Sequence, residues 1–197
     1  MKSIAIIDYG LGNINSITNA LTFLGFKHII TSDAKLLENS DGIILPGVGS
    51  FKVAMKNIKK KKLDMIIHDL IEGNKPCIAT CLGMQLLFEK SSEFGVSEGL
   101  GLLEGEVKKL HNINIGWNKL EMNTKKNQTL FSQKFFYFIH SFYIDPNTKY
   151  AHSYSFLDDF KFCSSIHYKN TLATQFHLEK SGKYGLDIIK EFFNGQI

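Results

Sequence analysis

Four short apolar runs, "SIAIID", "HIITS", "GIILPG" and "PCIAT", punctuate the amino-terminal part of the chain. Each is rich in β-branched side chains and is closed by Gly, Pro, Ser, Thr or Asp. Runs without polar alternation suit strands of a parallel sheet, whose two faces are both covered by helices. The segments between them follow a helical period instead. "NINSITNALTFLGF" places Ile17, Leu21 and Leu24 near one face and offers Gly25 as a stop. "FKVAMKNIKKKKLDMIIHDLIEGNK" continues a helical pattern with a break near its lysines. This alternation predicts an α/β fold built on a doubly wound, mostly parallel sheet.

After Gly99 the pattern changes. "LLEGEVKKL", "FFYFIHSFYI", "YAHSYSF", "FKFCSSIHY" and "TLATQFHLE" are aromatic and β-branched runs separated by polar loops, which predicts additional, more antiparallel strands in the C-terminal half. "KYGLDIIKEFFNG" then reads as a closing helix with Leu186, Ile189 and Phe193 on one face and Gly195 as its stop. No internal repeat, low-complexity segment or linker divides the 197 residues, so one domain over 1–197 is expected.

The formal net charge of +4 alters this picture little. Its densest run, Lys59 to Lys62, leads directly into an apolar pattern and reads as the wet face of a helix, not as a nucleic-acid or membrane patch. "MKSIAIIDYG" meets Asp8 after a brief apolar run and lacks a small-residue cleavage site, which argues against a signal peptide. No apolar stretch has the length needed to cross a bilayer. Cys77, Cys81 and Cys163 cannot all pair with one another, and a reducing cytoplasm is their natural setting.

Candidate chemistry begins at "PCIATCLGMQLLFEK", where Cys81 stands between a strand-like run and a helix-like segment. A tight strand-to-helix turn pushes its side chain out of the sheet, and the unpaired N–H groups and positive end of the helix favour a thiolate. Ala79 and Gly83, two positions either side, are small enough for such a turn. A buried structural cysteine is the alternative. A cysteine nucleophile needs a base, and the base an orienting group. "ATQFHLEKSG" supplies His177 and Glu179, whose side chains would share one side of an extended segment. His140 and His167, in strand-like surroundings, compete for the role of base. "LPGVGSF" offers a glycine-rich loop at the end of a strand, where the N–H groups of Gly47 and Val48 could join that of Leu82 in an oxyanion hole. Walker A spacing is absent, "GLGNIN" departs from the dinucleotide fingerprint, and Cys77 and Cys81 lack supporting metal-ligand spacing, so neither cofactor nor metal is expected.

In order along the chain, "DYGLGNINS", "PGVGSF", "CLGMQLLFE", "GWN", "FYFIHS" and "QFHLEKSG" resemble the class I, triad-type glutamine amidotransferases, in particular the glutaminase subunit of imidazole glycerol phosphate synthase. The resemblance implies Cys81 as nucleophile, His177 as general base and then acid, and Glu179 as its orienter. It implies that Gln85 and Glu93 hold the amino-acid end of the substrate L-glutamine, with the backbone around His140 and Ser141 completing that pocket. Gly47 and Val48 match a loop whose peptide flips to present an oxyanion donor. Asn13, Asn15, Trp117, Tyr137 and Lys180 match positions facing a (β/α)8 synthase subunit, the expected heterodimer partner.

Three departures from the family pattern stand out. Ala79 occupies a usual Gly, Leu178 replaces the usual Pro between histidine and acid, and "NINIGWN" replaces Pro-His-Met before Gly-Trp-Asn, so that Asn114 and Ile115 fall in a segment associated with the interface. The reaction implied is hydrolysis of glutamine through a Cys81 thioester, with ammonia passed under cover to the synthase for histidine biosynthesis. Two alternatives remain: a related glutaminase feeding another synthase, such as one that amidates a sugar, and a stand-alone cysteine hydrolase that would need neither a partner nor Gln85 and Glu93.

Overall fold

A computed structural model describes residues 2–123 and 128–196. The expected alternation is present at its start: β1 (Ser3–Ile7), α1 (Ile14–Phe23), β2 (Lys27–Thr31), α2 (Ala34–Asn39), β3 (Gly42–Leu45), α3 (Phe51–Lys60), α4 (Asp64–Glu72) and β4 (Cys77–Thr80). Gly25, at φ 77°, lies just past the end of α1, and Lys62, at φ 56°, lies in the break between α3 and α4. Lys59 to Lys62 are exposed, with Lys59 near Glu98 and Lys61 paired with Asp8.

Alternate side chains of β1, β3 and β4 enter opposite cores, whereas β2, expected to be covered on both faces, is the sheet edge and leaves Ile29 and Ile30 exposed. Ala5, Ile7, Ile43, Leu45, Cys77 and Ala79 pack with Ala54, Met55, Ile58, Ile67 and Ile71 of α3 and α4. Ile4, Ile6, Ile44 and Ile78 pack on the other side with Ile17 and Leu21 of α1 and with the carboxyl-terminal helix. Strands buried on both faces explain the unbroken apolar runs.

The remaining elements are α5 (Leu82–Leu86), β5 (Phe88–Ser91), β6 (Ser97–Glu98), β7 (Leu103–Lys119), β8 (Glu121–Met122), α6 (Gln128–Phe131), β9 (Phe135–Ile144), β10 (Ala151–Leu157), β11 (Phe160–Tyr168), β12 (Thr171–Thr174), a 3-10 helix (Leu178–Lys180) and α7 (Gly182–Asn194). They do not form a separate sheet. The strand order β2-β1-β3-β4-β12-β11-β9-β7-β5-β6 is continuous, with β10 pairing to β11 and to β8. β12 lies parallel to β4 and antiparallel to β11, so the sheet changes character at that strand. The closing helix ends at Gly195 in the left-handed conformation, with Ile189 and Phe193 buried and Leu186 partly so.

Two sequence expectations need correction. The helix after Cys81 is a single turn, because Leu86, Leu87 and Phe88 are all buried and the chain passes at once into β5 alongside β7. The strand expected through "TLATQFHLE" stops at Thr174; His177 follows as an extended residue and Glu179 sits in the 3-10 turn. Among the described residues, no helix is long and apolar enough to cross a membrane.

Candidate active site

The carboxyl ends of β3, β4 and β12 bring the site together. Cys81 has φ 52° and ψ −109°, a backbone conformation that costs a non-glycine residue about 1–3 kcal/mol and that the surrounding packing must hold. That packing is tight. A Cβ on Gly83 would lie 2.1 Å from the Leu45 carbonyl oxygen, and one on Gly47 would lie 2.4 Å from the Gly83 nitrogen. The glycine loop after β3 therefore rests on the start of α5, where Leu82 opens the helix with an N–H that has no intrahelical acceptor. Across the sheet, Cys81 N–H donates to Thr174 O at 2.7 Å, which seats the elbow beside the residues that follow β12.

A cavity of about 270 Å3 opens here, lined by Val48, Gly49, Cys81, Leu82, Gln85, Glu93, Ile113, Ile139, His140, Ser141, Phe142 and His177. The Cys81 side chain is largely covered but faces this space. Its sulfur donates to Ile139 O at 3.7 Å and accepts from Gln175 Nε2 at 3.6 Å.

Behind the cavity, His177 Nδ1 meets Glu179 Oε1 at 2.7 Å, with both side chains only 2% exposed. The i, i+2 contact foreseen from sequence is present, but the 3-10 turn makes it rather than strand alternation. His177 Nε2 is buried with no hydrogen-bond partner among the described residues. Burial works against a charged ring, yet the neighbouring Cys81 and Glu179 outweigh it and raise the His177 pKa. Cys81 acts on the ring electrostatically, outside the geometry of a formed hydrogen bond.

His140 lines the same cavity in a different state. Its Nδ1 faces the Phe142 carbonyl at 2.8 Å, an acceptor only, so that nitrogen carries the proton. Nε2 then accepts from Asn114 Nδ2 at 2.9 Å. Both nitrogens are occupied, and burial holds the pKa down at about 4. A ring so committed has no free nitrogen to take a proton from Cys81. His167 does not line the cavity.

Glu93 Oε2 accepts the Phe51 N–H at 2.6 Å at the start of α3, which fixes this buried carboxylate at the cavity wall. Both hydrogens of Gln85 Nε2 are used, one toward Phe142 O at 3.1 Å and one toward Gln175 Oε1 at 3.0 Å, leaving its Oε1 to accept from a ligand. Gln175 and Asn114 escaped notice as site residues. The available signal was the position of Gln175 two places before His177.

Outside the mouth, Trp117 packs edge-on against Tyr137 at 5.8 Å, and Lys180 Nζ lies 5.9 Å from the Tyr137 ring. Ile113, Ile115, Trp117, Phe135 and Ile139 are exposed on β7 and β9, with Ile115 opposite Ile139 and Trp117 opposite Tyr137. The stripe runs to the cavity, because Ile113 and Ile139 belong to both. Asn13 and Asn15 lie at the start of α1, the helix packed beside the 3-10 turn that carries Lys180.

An elbow cysteine, a carboxylate-oriented histidine and a glycine loop on a sheet of this order define a class I glutamine amidotransferase fold and site. The chain belongs to that family: the class-I glutamine amidotransferase profile matches residues 5–195. Within it, the chain is similar to the HisH subunit of imidazole glycerol phosphate synthase, with 41% identity to that of Bacillus cereus strain G9842 over 96% of this chain and 93% of the relative. Identity to the Dehalococcoides mccartyi HisH subunit is 38%, covering 96% of each. Solved structures agree on the fold. A crystal structure of a glutamine amidotransferase superposes with a TM-score of 0.76 at 19% identity, over 97% of this chain and 98% of that one. PurLQS from Thermotoga maritima gives 0.76 at 18%, over 98% and 99%.

Proposed function

We propose that the chain is the glutaminase subunit of a two-part synthase, working through Cys81, His177 and Glu179. Its substrate is L-glutamine, and its partner is a (β/α)8 synthase subunit that uses the ammonia for imidazole glycerol phosphate synthesis in histidine biosynthesis. The observation that carries the mechanism is the buried 2.7 Å contact of His177 with Glu179, with the free Nε2 beside Cys81 at the cavity.

The chemistry follows from these positions. His177 takes the thiol proton, and the Cys81 sulfur attacks the side-chain amide carbon of glutamine. Gly47, Val48 and Leu82 supply N–H groups to the oxyanion. As the C–N bond breaks, His177 returns the proton to the leaving nitrogen and ammonia departs, leaving a thioester. Water, deprotonated by His177, then displaces the sulfur and releases glutamate. Glu179 favours the charged ring that both half-reactions require. Gln85 Oε1 and the free oxygen of Glu93 suit the α-ammonium of the substrate, and the backbone at His140 and Ser141 borders the same end.

Ammonia released into water at neutral pH becomes mostly ammonium and loses its nucleophilicity. A covered route is therefore needed, and the apolar stripe of Ile113, Ile115, Trp117 and Ile139 at the cavity mouth is a fitting seat for the partner. Asn13, Asn15, Tyr137 and Lys180 extend that proposed interface. A second acceptor stays in view because Ile115 in this stripe and its buried neighbour Asn114 depart from the family pattern. The three buried, unpaired cysteines fit a cytoplasmic setting.

The test is glutamate release by the purified chain, alone and with a cognate (β/α)8 synthase subunit. Strong stimulation by that partner, abolished by Cys81→Ser without loss of partner binding, is expected. Full amidase activity on peptides without a partner would favour the hydrolase reading, and glutamate release surviving Cys81→Ser would overturn the nucleophile.

A further inference from the structure

One buried side chain touches the reacting sulfur without a role in the steps above. Gln175 is fully buried, and its Nε2 lies 3.6 Å from Cys81 Sγ, a reasonable distance for a donor facing the large sulfur atom. We propose that Gln175 is a catalytic residue: its carboxamide donates a hydrogen bond to the Cys81 thiolate, holding the anion and aiming it into the cavity. This inference rests on the glutaminase reading of the same site.

Backbone chemistry fixes the direction of that bond. Phe142 O is a backbone carbonyl and can only accept, so the Gln85 atom 3.1 Å from it is the nitrogen. That same nitrogen then donates its second hydrogen at 3.0 Å to Gln175, which must present its oxygen. With the oxygen committed to Gln85, the nitrogen of Gln175 is the end that faces Cys81. The backbone carbonyl fixes the polarity of two successive side chains, and the chain of bonds ends with an N–H aimed at sulfur.

Phe142 O is itself held. It accepts a second bond from His140 Nδ1 at 2.8 Å; His140 Nε2 accepts from Asn114 at 2.9 Å, and Asn114 Oδ1 accepts from Asn118 Nδ2 at 3.2 Å. Every acceptor in this sequence has a donor. The network therefore cannot reverse at Gln175 without stranding a buried polar group.

The need for such a donor follows from the fold. The helix after Cys81 has one turn, so it offers few aligned peptide dipoles to an anion at its start. A neutral amide is suited to the task because it adds a donor without adding a charge to the site. The donor is weak toward a thiol and much stronger toward a thiolate, so it favours the attacking species.

The experiment follows alkylation of Cys81 by iodoacetamide across pH in the full chain, with peptide mass spectrometry to assign the site. Gln175→Met, similar in volume and without a donor, is expected to slow alkylation at pH 7 about tenfold and to displace the rate profile toward higher pH. Gln175→Glu keeps the shape and the acceptor for Gln85 but turns an oxygen toward sulfur, and a larger slowing is expected. Thermal melting and partner binding report folding; if Gln175→Met does not fold, Gln175→Glu decides alone. A wild-type alkylation rate and profile in a folded variant overturns the proposal. The measurement uses no glutamine, so a wild-type chain that fails to hydrolyse glutamine with its partner would sink the function and leave this result to be judged by itself.

Discussion

Acidification isolates the contribution of one buried ring. Folded, His140 is neutral and bonded at both nitrogens, and its pKa falls from 6.5 to about 4, chiefly by burial, opposed by the bond to Phe142 O and aided by the His177 charge. Between those two values the unfolded chain binds the extra proton, so stability must fall as the pH falls. Fully expressed, the gap is worth roughly 3 kcal/mol, of which about 2.5 kcal/mol is lost by pH 4.5. In a chain of this length about 1 kcal/mol moves Tm by about 2–4 °C, so this group alone lowers a melt at pH 4.5 by roughly 5–10 °C. His177 does not confuse the measurement. Its pKa is raised in the fold, so its stabilisation is complete below pH 6.5 and fades only as the pH rises above that.

His140→Asn removes the titration. The shorter amide still reaches toward Phe142 O but strands the Asn114 amide and gives up ring contacts with Phe162 at 5.0 Å and Phe138 at 5.7 Å. The variant should be less stable at pH 7 by about 2–4 kcal/mol. The deciding quantity is a difference of differences from urea melts followed by circular dichroism. Wild type should lose about 2.5 kcal/mol more than His140→Asn between pH 7 and pH 4.5, since carboxylates common to both proteins cancel. Equal losses would refute a buried neutral His140 and reopen it as a base.

In the native chain, iodoacetamide should label Cys81 alone, because Cys77 and Cys163 are fully buried and burial raises both thiols, Cys77 to about 12; peptide mapping that finds either at a comparable rate would contradict the packing. Gly47→Ala should cost partner-stimulated glutaminase about a hundredfold in kcat, since its Cβ would collide with Gly83 N and displace the elbow. Wild-type turnover in that variant would separate the glycine loop from the elbow. Trp117→Ala should weaken binding of the cognate synthase subunit by about 2 kcal/mol or more in calorimetry. Unchanged affinity would move the docking surface away from β7 and β9.

β1, β3 and β4 were legible because each is buried on both faces and closed by turn residues, a pattern that local sequence carries by itself; β2, at the sheet edge with Ile29 and Ile30 exposed, showed only its β-branched run. The end of β12 was not. "TLATQFHLE" keeps a strand-like composition, but Leu178 is drawn into the core, and α7 crosses so closely that a Cβ on Gly185 would lie 1.9 Å from Leu178 O. That close approach turns the chain into the 3-10 helix and puts Glu179 against His177 by a different route from the one its spacing suggested. Spacing identified the pair; only tertiary packing explains its geometry. Gln175 was harder still, because its importance lies in a sulfur 94 positions away and in a carbonyl that fixes the direction of Gln85. Asn114 drew attention as a departure from the family pattern, whereas its bond to His140 is visible only once β7 and β9 are paired.

The alternation of β9 gives one strand two tasks. Its exposed side carries Phe135, Tyr137 and Ile139 next to Ile115 and Trp117 of β7, while Phe136, Phe138 and His140 point into the core. The backbone between these faces is part of the site: Ile139 O meets Cys81 Sγ at 3.7 Å, and Phe142 O accepts from both His140 and Gln85. A partner seated on the outer face would therefore press on the strand whose carbonyls border the sulfur and set the direction of the Gln85 and Gln175 amides. Because paired strands move together, a displacement at Trp117 would reach those carbonyls through the β7–β9 ladder without needing a separate path through loops.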